Sequence, residues 1–231
     1  MESSAHRVVT HEEWIEARRA LLAEEKELTR LRDRVSQRRR DLPWEAVDKE
    51  YVFDGPDGKE TLSDLFAGRS QLVVYHFMFD PEDDVGCPVC SFWADNFDPL
   101  GVHLAARDVT MIAISRAPYE TLVPYRERMG WRFKWVSSFA NDFNYDYGVS
   151  FRHEQFEEPV YNFGTLPPRN SDREGASVFL KDADGSVFHT YSTYARGIDI
   201  VNTAYNYLDL VPKGRDEDGR AAFWVRRHDE Y

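Results

Sequence analysis

The feature that most constrains this chain is a pair of cysteines, Cys87 and Cys90, separated only by a proline and a valine. They follow an apolar segment, 71–79, whose length and β-branched residues are typical of a buried strand. Directly after that segment we predict a helix from about Cys87 to Leu104. The sequence therefore predicts a strand, a loop and a helix, with Cys87 in the first helical turn and Cys90 one turn further along.

A dithiol in this position has the arrangement that thiol chemistry requires. The unpaired N–H groups and the dipole of a helix N-terminus stabilise the thiolate, which is the nucleophilic form of cysteine. A spacing of three residues places the second thiol on the same helical face, where it can resolve a mixed disulfide. We therefore expect Cys87 to attack and Cys90 to resolve, with Pro88 preorganised for the first helical turn.

The loop that leads into the dithiol is acidic, and this composition opposes thiolate formation. Nearby carboxylates raise the pKa of a thiol through like-charge repulsion. The loop contains Asp80, Glu82, Asp83 and Asp84. We therefore expect Cys87 to form a moderate thiolate and not an extreme one.

The first 43 residues are expected to form a helical arm. Thr10 and Glu13 have the form of a capping box, and the basic run before Pro43 suits a helix C-terminus. Apolar residues recur every seven positions at Trp14, Leu21, Leu28 and Val35. This stripe predicts one long helix that lies on its own domain or on the partner in a homodimer.

Strands and helices alternate after the arm, and a hairpin follows late in the chain. Val109–Ser115 has the pattern of a second buried strand, and the turn residues Asp182-Ala-Asp-Gly185 lie between two β-rich segments. This order predicts an α/β domain over residues 44–212, with a mixed central sheet flanked by helices. Residues of about 151–175 have the composition of an inserted loop, and residues 213–231 are expected as a C-terminal tail.

The charge of the chain, −12 with a pI near 5.1, excludes several classes of partner. Nucleic-acid binding needs clustered positive charge, and so does a polybasic membrane anchor. No run approaches the ~18 apolar residues of a membrane span, and the first residues lack a signal-peptide segment. Because the two cysteines lie in one motif and form no disulfide framework, we expect a cytoplasmic protein in a reducing compartment.

Seven short segments carry a resemblance to a known family. They are Tyr75-His-Phe-Met-Phe79, Gly86-Cys-Pro-Val-Cys-Ser91, Ser115-Arg-Ala-Pro118, Arg128-Met-Gly-Trp131, Trp135-Val-Ser-Ser138, His189-Thr-Tyr-Ser192 and Trp224-Val-Arg-Arg-His-Asp-Glu-Tyr231. Over nearly its whole length the chain resembles the DUF899 family of thioredoxin-like proteins. The order of its elements is also similar to the alkyl-hydroperoxide-reductase/thiol-antioxidant branch of the thioredoxin superfamily.

The resemblance has implications for both fold and activity. It implies a thioredoxin-like mixed sheet flanked by helices. Because the family is described as predicted dithiol-disulfide oxidoreductases, it also implies exchange chemistry at Cys87 and Cys90. The implied partners are a disulfide-containing protein or a small thiol as substrate, and an external thiol donor that resets the pair. This chemistry requires no cofactor.

The chain departs from two patterns of the thioredoxin superfamily. Peroxiredoxins carry Pro-x-x-x-Thr-x-x-Cys, whereas Asp80 and Asp84 occupy the proline and threonine positions here, and Ala176 occupies the position of their arginine. Efficient peroxide reduction is therefore not expected. Thioredoxins also place a cis-proline beside the dithiol, but residues 174–177 contain no proline.

Two alternatives and one further residue remain open at this point. The missing proline leaves room for a metal, and Cys87 and Cys90 with His76 or His189 would suit copper(I) or zinc. The other alternative is a redox sensor without catalytic turnover. Arg116, in the loop after the second buried strand, is either a catalytic residue that faces the dithiol or half of a surface ion pair.

Overall fold

A computed structural model describes residues 6–231, in which two compact units are distinguished, the first ending at Pro43 and the second comprising Trp44–Tyr231. The described helices are α1 (His11–Arg40), α2 (Pro88–Phe97), α3 (Gly101–Ala105), α4 (Tyr119–Arg128), α5 (Phe143–Asp146), α6 (Tyr161–Gly164) and α7 (Thr203–Leu208). The described strands are β1 (Glu45–Ala46), β2 (Val52–Gly55), β3 (Gly58–Thr61), β4 (Gln71–His76), β5 (Val109–Ser115), β6 (Lys134–Ser137), β7 (Gly175–Lys181) and β8 (Val187–Tyr194). Within residues 6–231, no helix is both long and apolar enough to cross a membrane.

The first unit is built on α1, which begins at the predicted capping box. The Thr10 hydroxyl accepts a hydrogen bond from the Glu13 amide at 3.3 Å, and the Glu13 carboxylate accepts one from the Thr10 amide at 3.0 Å. Basic residues occupy the last turn, where they complement the helix dipole. The prediction of one long N-terminal helix is confirmed.

The second unit is built on one mixed eight-stranded sheet with the strand order β1-β8-β7-β4-β5-β6-β2-β3. β4, β5 and β6 run parallel, and their connections contain α2, α3 and α4. β7 is antiparallel to β4, and β8 is antiparallel to β7. A parallel βαβ unit extended by an antiparallel hairpin beside its first strand is the connectivity of a thioredoxin-like fold, so the predicted fold class is confirmed.

The central strand β4 separates two apolar cores, because successive side chains of a strand point to opposite faces. Tyr75 and the following Phe77 pack on the face that α2 covers. Val74 belongs to the core on the other face. His76 also lies on that other face, where its ring centroid is 5.9 Å from that of Phe143. This alternation decides which side chains of the strand reach the dithiol.

The predicted helix over Cys87–Leu104 is interrupted. α2 ends at Phe97, a 3-10 turn covers Asp98–Leu100, and α3 continues from Gly101. Pro99 explains the break, because it has no N–H to continue the helical ladder and its ring clashes with the preceding turn.

Two segments expected as loop and tail are packed parts of the second unit. Within the insertion of about 151–175, Phe151 and Tyr161 form a small core with Tyr194 of β8. Near the C-terminus, Ala222 and Val225 are buried. Both segments therefore contribute to the surroundings of the sheet and of α2.

Candidate active site

The two cysteines lie where the end of β4 meets the N-terminus of α2. Cys87 is the N-cap residue and is partly exposed, whereas Cys90, one turn further along, is buried. The backbone of Met78 joins them: its carbonyl accepts a hydrogen bond from the Cys87 amide at 3.3 Å, and its amide donates to Cys90 Sγ at 3.4 Å. Both cysteines are free thiols.

The two thiols have opposite pKa shifts. The pKa of Cys87 is lowered to about 7, chiefly because the Cys90 thiol donates a hydrogen bond to its sulfur. Burial opposes this shift, and hydrogen bonds from the backbone amides of Cys90 and Val89 support it. Burial raises the pKa of Cys90 well above its ordinary value. At neutral pH the arrangement therefore favours a thiolate on Cys87 and a neutral thiol on Cys90.

The carboxylate that acts on both thiols is Glu174, which was not among the residues predicted for the site. Glu174 directly precedes β7, whose first residue, Gly175, pairs with His76 of β4. Burial and the neighbouring Cys87 are the main causes of the raised pKa of Cys90, and the negative charge of Glu174 adds to them. The same charge opposes the lowering of the Cys87 pKa. The sequence predicted this effect for the acidic loop that begins at Asp80.

A buried tyrosine lies beneath the dithiol. Burial raises the pKa of Tyr75 well above its ordinary value, and the charge on Cys90 adds to the shift. The Tyr75 hydroxyl lies beside the Cys90 thiol without a well-formed hydrogen bond among the described residues. It is therefore a neutral donor that is positioned for the Cys90 sulfur when that sulfur loses its proton.

A polar network holds the turn that carries the dithiol. Ser91 Oγ donates to the Cys87 carbonyl at 2.9 Å and lies 2.8 Å from the Tyr125 hydroxyl.

On the other side of Cys87, the backbone of Gly86 is packed closely against two aromatic rings. A Cβ atom there would lie 2.7 Å from Tyr125 Cε1 and 2.8 Å from Phe77 Cε1. Only glycine fits this close approach.

A cleft of about 830 Å³ opens beside Cys87. Its lining includes Asp80, Glu82 and Asp83 of the entry loop, Arg116 after β5, and Phe151, His153, Phe156 and Asp172 of the insertion. The insertion predicted as a loop thus forms one wall of the cleft that faces the reactive thiol. A molecule that approaches Cys87 through this cleft meets an apolar wall and an acidic rim.

Arg116 lies in the same cleft as Cys87, and its guanidinium is fully engaged by neighbours. It forms an ion pair with Asp80, its Nε donates to Asp172 Oδ1 at 2.7 Å, and its Nη1 donates to the Tyr145 hydroxyl at 3.2 Å. Burial raises the pKa of Asp172, although the hydrogen bond from Arg116 opposes the shift. Arg116 therefore joins the entry loop to the insertion and compensates two carboxylates at once.

The two histidines proposed as metal ligands lie away from the cysteines, on the opposite face of the sheet. His76 Nε2 is 2.8 Å from Ser177 Oγ, and burial lowers the pKa of His76 to about 3. His189 Nε2 is 2.7 Å from Ser192 Oγ. The structure does not bring these histidines together with Cys87 and Cys90, because strand alternation directs them to the other core. Among residues 6–231, no group of three or more His, Cys, Asp or Glu side chains is arranged to hold a metal ion.

Fold and site together define a thioredoxin-fold protein with one dithiol at the N-terminus of the helix that follows a central strand. The chain belongs to the DUF899 family. The family model, described as "Bacterial protein of unknown function (DUF899)", matches residues 3–231. No curated protein sequence matched the chain.

The chain is similar to several solved structures. The chain is 15% identical to Peroxidoxin BcpB from Mycobacterium tuberculosis, with 69% of this chain and 93% of that chain covered and a TM-score of 0.46. It is 16% identical to peroxiredoxin Q of Xanthomonas campestris, with 69% and 95% covered and a TM-score of 0.44. It is 14% identical to a putative thiol:disulfide interchange protein DsbE from Chlorobium tepidum, with 71% and 94% covered and a TM-score of 0.43. At these identities and TM-scores, the similarities assign no activity to the chain.

Replacing Glu174 tests the electrostatics of the site. In the unmodified protein, the rate of Cys87 alkylation by iodoacetamide should rise with pH around a midpoint near 7. In Glu174→Gln the midpoint should fall by about half a pH unit, because the thiolate loses a nearby negative charge. Mass spectrometry of the labelled peptide identifies the cysteine. The exposed Glu157→Gln serves as the control, and an unchanged or higher midpoint in Glu174→Gln would contradict the assignment.

Replacing Arg116 tests the link between the entry loop and the insertion. Arg116→Met should lower the free energy of unfolding by roughly 3 kcal/mol at pH 7, because Asp172 is left buried without a cation. The loss should shrink as the pH falls through the raised pKa of Asp172, since protonation removes the uncompensated charge. Urea denaturation at pH 7 and at a pH below the raised pKa of Asp172 measures the two losses of stability. The exposed Arg107→Met is the control. Equal losses in the two variants would refute the role of Arg116.

Proposed function

We propose that this protein is a thiol–disulfide oxidoreductase in which Cys87 attacks and Cys90 resolves. One observation carries the proposal: a thiol with a lowered pKa borders a cleft, and a buried second thiol lies one helical turn away. A thiolate at a helix N-terminus is the attacking group of such chemistry, and the second thiol releases the product. A dithiol that works in its reduced form fits a reducing compartment such as the cytoplasm.

The proposed reaction passes two electrons from the protein to the substrate. The Cys87 thiolate attacks one sulfur of a substrate disulfide, a mixed disulfide forms, and the other half leaves as a thiolate. The leaving thiolate takes up a proton from Cys90, whose thiolate then attacks Cys87 Sγ and releases the second half. The second half leaves as a thiolate and takes up a proton from solvent, so the products are two substrate thiols and a Cys87–Cys90 disulfide. An external thiol donor reduces this disulfide and completes the cycle.

The cleft supports a small disulfide, or an extended peptide segment, as the group that reaches Cys87. The walls of the entry loop and the insertion leave about 830 Å³, which is within the usual range for small-molecule sites. Arg116 is already paired with Asp80 and Asp172, so it offers no free positive charge to an anionic substrate. Glu82 adds a further carboxylate to the rim.

The first test is whether the two cysteines form a reversible disulfide and turn over. After mild oxidation, mass spectrometry should show the loss of two hydrogens within the peptide that holds both Cys87 and Cys90. With an excess of dithiol donor, the protein should then reduce bis(2-hydroxyethyl) disulfide over many cycles. Cys87→Ser should abolish turnover.

Two other outcomes of that test would each contradict one part of the proposal. Intermolecular dimers or sulfonic acid as the only products would contradict the resolving role of Cys90. An intramolecular disulfide that forms without catalytic turnover would contradict an enzyme and favour a redox sensor.

A second test concerns the charge of the substrate. Three disulfides of similar size differ only in their end groups: the bis(2-aminoethyl), bis(2-hydroxyethyl) and bis(2-carboxyethyl) forms. After normalisation to the rates of a free small dithiol, the cationic form should react roughly tenfold faster than the anionic form at low salt. The difference should shrink in 0.5 M salt, because exposed charges are screened.

The acidic rim also provides the variant for this test. Glu82→Gln should reduce the preference for the cationic disulfide while the rate with the neutral disulfide stays the same. A preference for the anionic disulfide would contradict this description of the cleft, and no charge preference at low salt would show that the acidic rim does not act on the substrate.

A further inference from the structure

The C-terminal residues, 224–231, pack against the helix that carries the dithiol. The Trp224 ring lies 5.5 Å from that of Phe92, the second residue after Cys90. His228 Nδ1 lies 2.8 Å from Asp95 Oδ1 of α2. This segment is one of the motifs that carry the family resemblance, and the exchange reaction as described above does not use it.

Arg227 is the residue of this segment that reaches the dithiol turn. Its Nη2 donates to the Gly86 carbonyl at 2.8 Å, and its Nε donates to the Tyr125 hydroxyl at 2.9 Å. Its Nη1 donates to Glu230 Oε1 at 3.0 Å, which orients the guanidinium. The side chain is 15% exposed. A planar guanidinium fixes two acceptors at once, and this geometry is specific to arginine.

The two acceptors of Arg227 lie on both sides of the dithiol turn. Gly86 directly precedes Cys87. Tyr125 is linked through Ser91 Oγ to the Cys87 carbonyl, and Ser91 directly follows Cys90. Arg227 therefore connects the residue before the motif to the residue after it.

We propose that Arg227 is a positioning residue for the dithiol. It holds the turn so that the backbone amides of Val89 and Cys90 stay directed at Cys87 Sγ, where they stabilise the thiolate. Arg227 touches neither sulfur, and it acts through Gly86 and Tyr125. The proposal rests on the exchange function proposed above, since a positioned thiolate matters only if Cys87 is the attacking group.

The test compares the titration of Cys87 in matched variants. Arg227→Met removes the donors but keeps the length, and Arg227→Lys keeps the charge but loses the planar fork. The midpoint of Cys87 alkylation should rise by about one pH unit in Arg227→Met, which corresponds to a roughly fivefold slower alkylation at pH 7. Arg227→Lys should give an intermediate shift. Arg226→Met, at the exposed neighbouring position, should leave the midpoint unchanged.

The midpoint, and not the melting temperature, decides the test, because a purely structural role would lower stability without moving the pH profile. If Arg227→Met fails to fold, Tyr125→Phe removes the hydroxyl shared by Arg227 and Ser91 and should give an upward shift as well. If Cys87 of the unmodified protein titrates near pH 7 and the midpoint is unchanged in folded Arg227→Met and Tyr125→Phe, the positioning role alone is overturned. If Cys87 of the unmodified protein shows no titration near pH 7, the exchange function fails, and the positioning role fails with it.

Discussion

The interaction on which the site depends is the contact between the end of β4 and the first turn of α2. The Met78 carbonyl binds the Cys87 amide, and the Met78 amide binds Cys90 Sγ. These two bonds anchor the turn to the end of a central strand of the sheet. The amides of Val89 and Cys90 at the helix start are left to Cys87 Sγ, where they add to the stabilisation that the Cys90 thiol provides.

The two cysteines are one helical turn apart and lie in different environments. Cys87 lies at the cleft with its pKa lowered, and Cys90 lies against the core, where burial raises its pKa. Because the Cys90 thiol donates to Cys87, the stabilisation of one thiolate depends on the protonation of the other. A reduced pair that is stabilised in this way donates its electrons less readily to a substrate, and its disulfide form is correspondingly easier for the thiol donor to reduce.

Local sequence signals predicted the fold class, the long N-terminal helix and the position of the dithiol at a helix start. They succeeded because a capping box, strand alternation and a three-residue cysteine spacing are each defined within a few residues. Arg227 was missed, because only tertiary structure brings so distant a residue to the turn that precedes Cys87. Glu174 had a signal in the sequence, because residues 174–177 occupy the position of the thioredoxin segment that lies beside the dithiol. The face on which His76 lies could have been predicted from the sequence. His76 directly follows Tyr75 in the strand, so the two side chains reach opposite faces of the sheet.

The central claim is that Cys87 is the attacking sulfur and Cys90 the resolving one, and trapping the intermediate tests it most directly. Cys90→Ser should accumulate a mixed disulfide on Cys87 when it is incubated at pH 7 with bis(2-hydroxyethyl) disulfide, because nothing remains to release the bound half. Cys87→Ser under the same conditions should remain unmodified, because Cys90 is buried and neutral. Peptide mass spectrometry reads out both variants. A mixed disulfide on Cys90 in Cys87→Ser, with none on Cys87 in Cys90→Ser, would contradict the account.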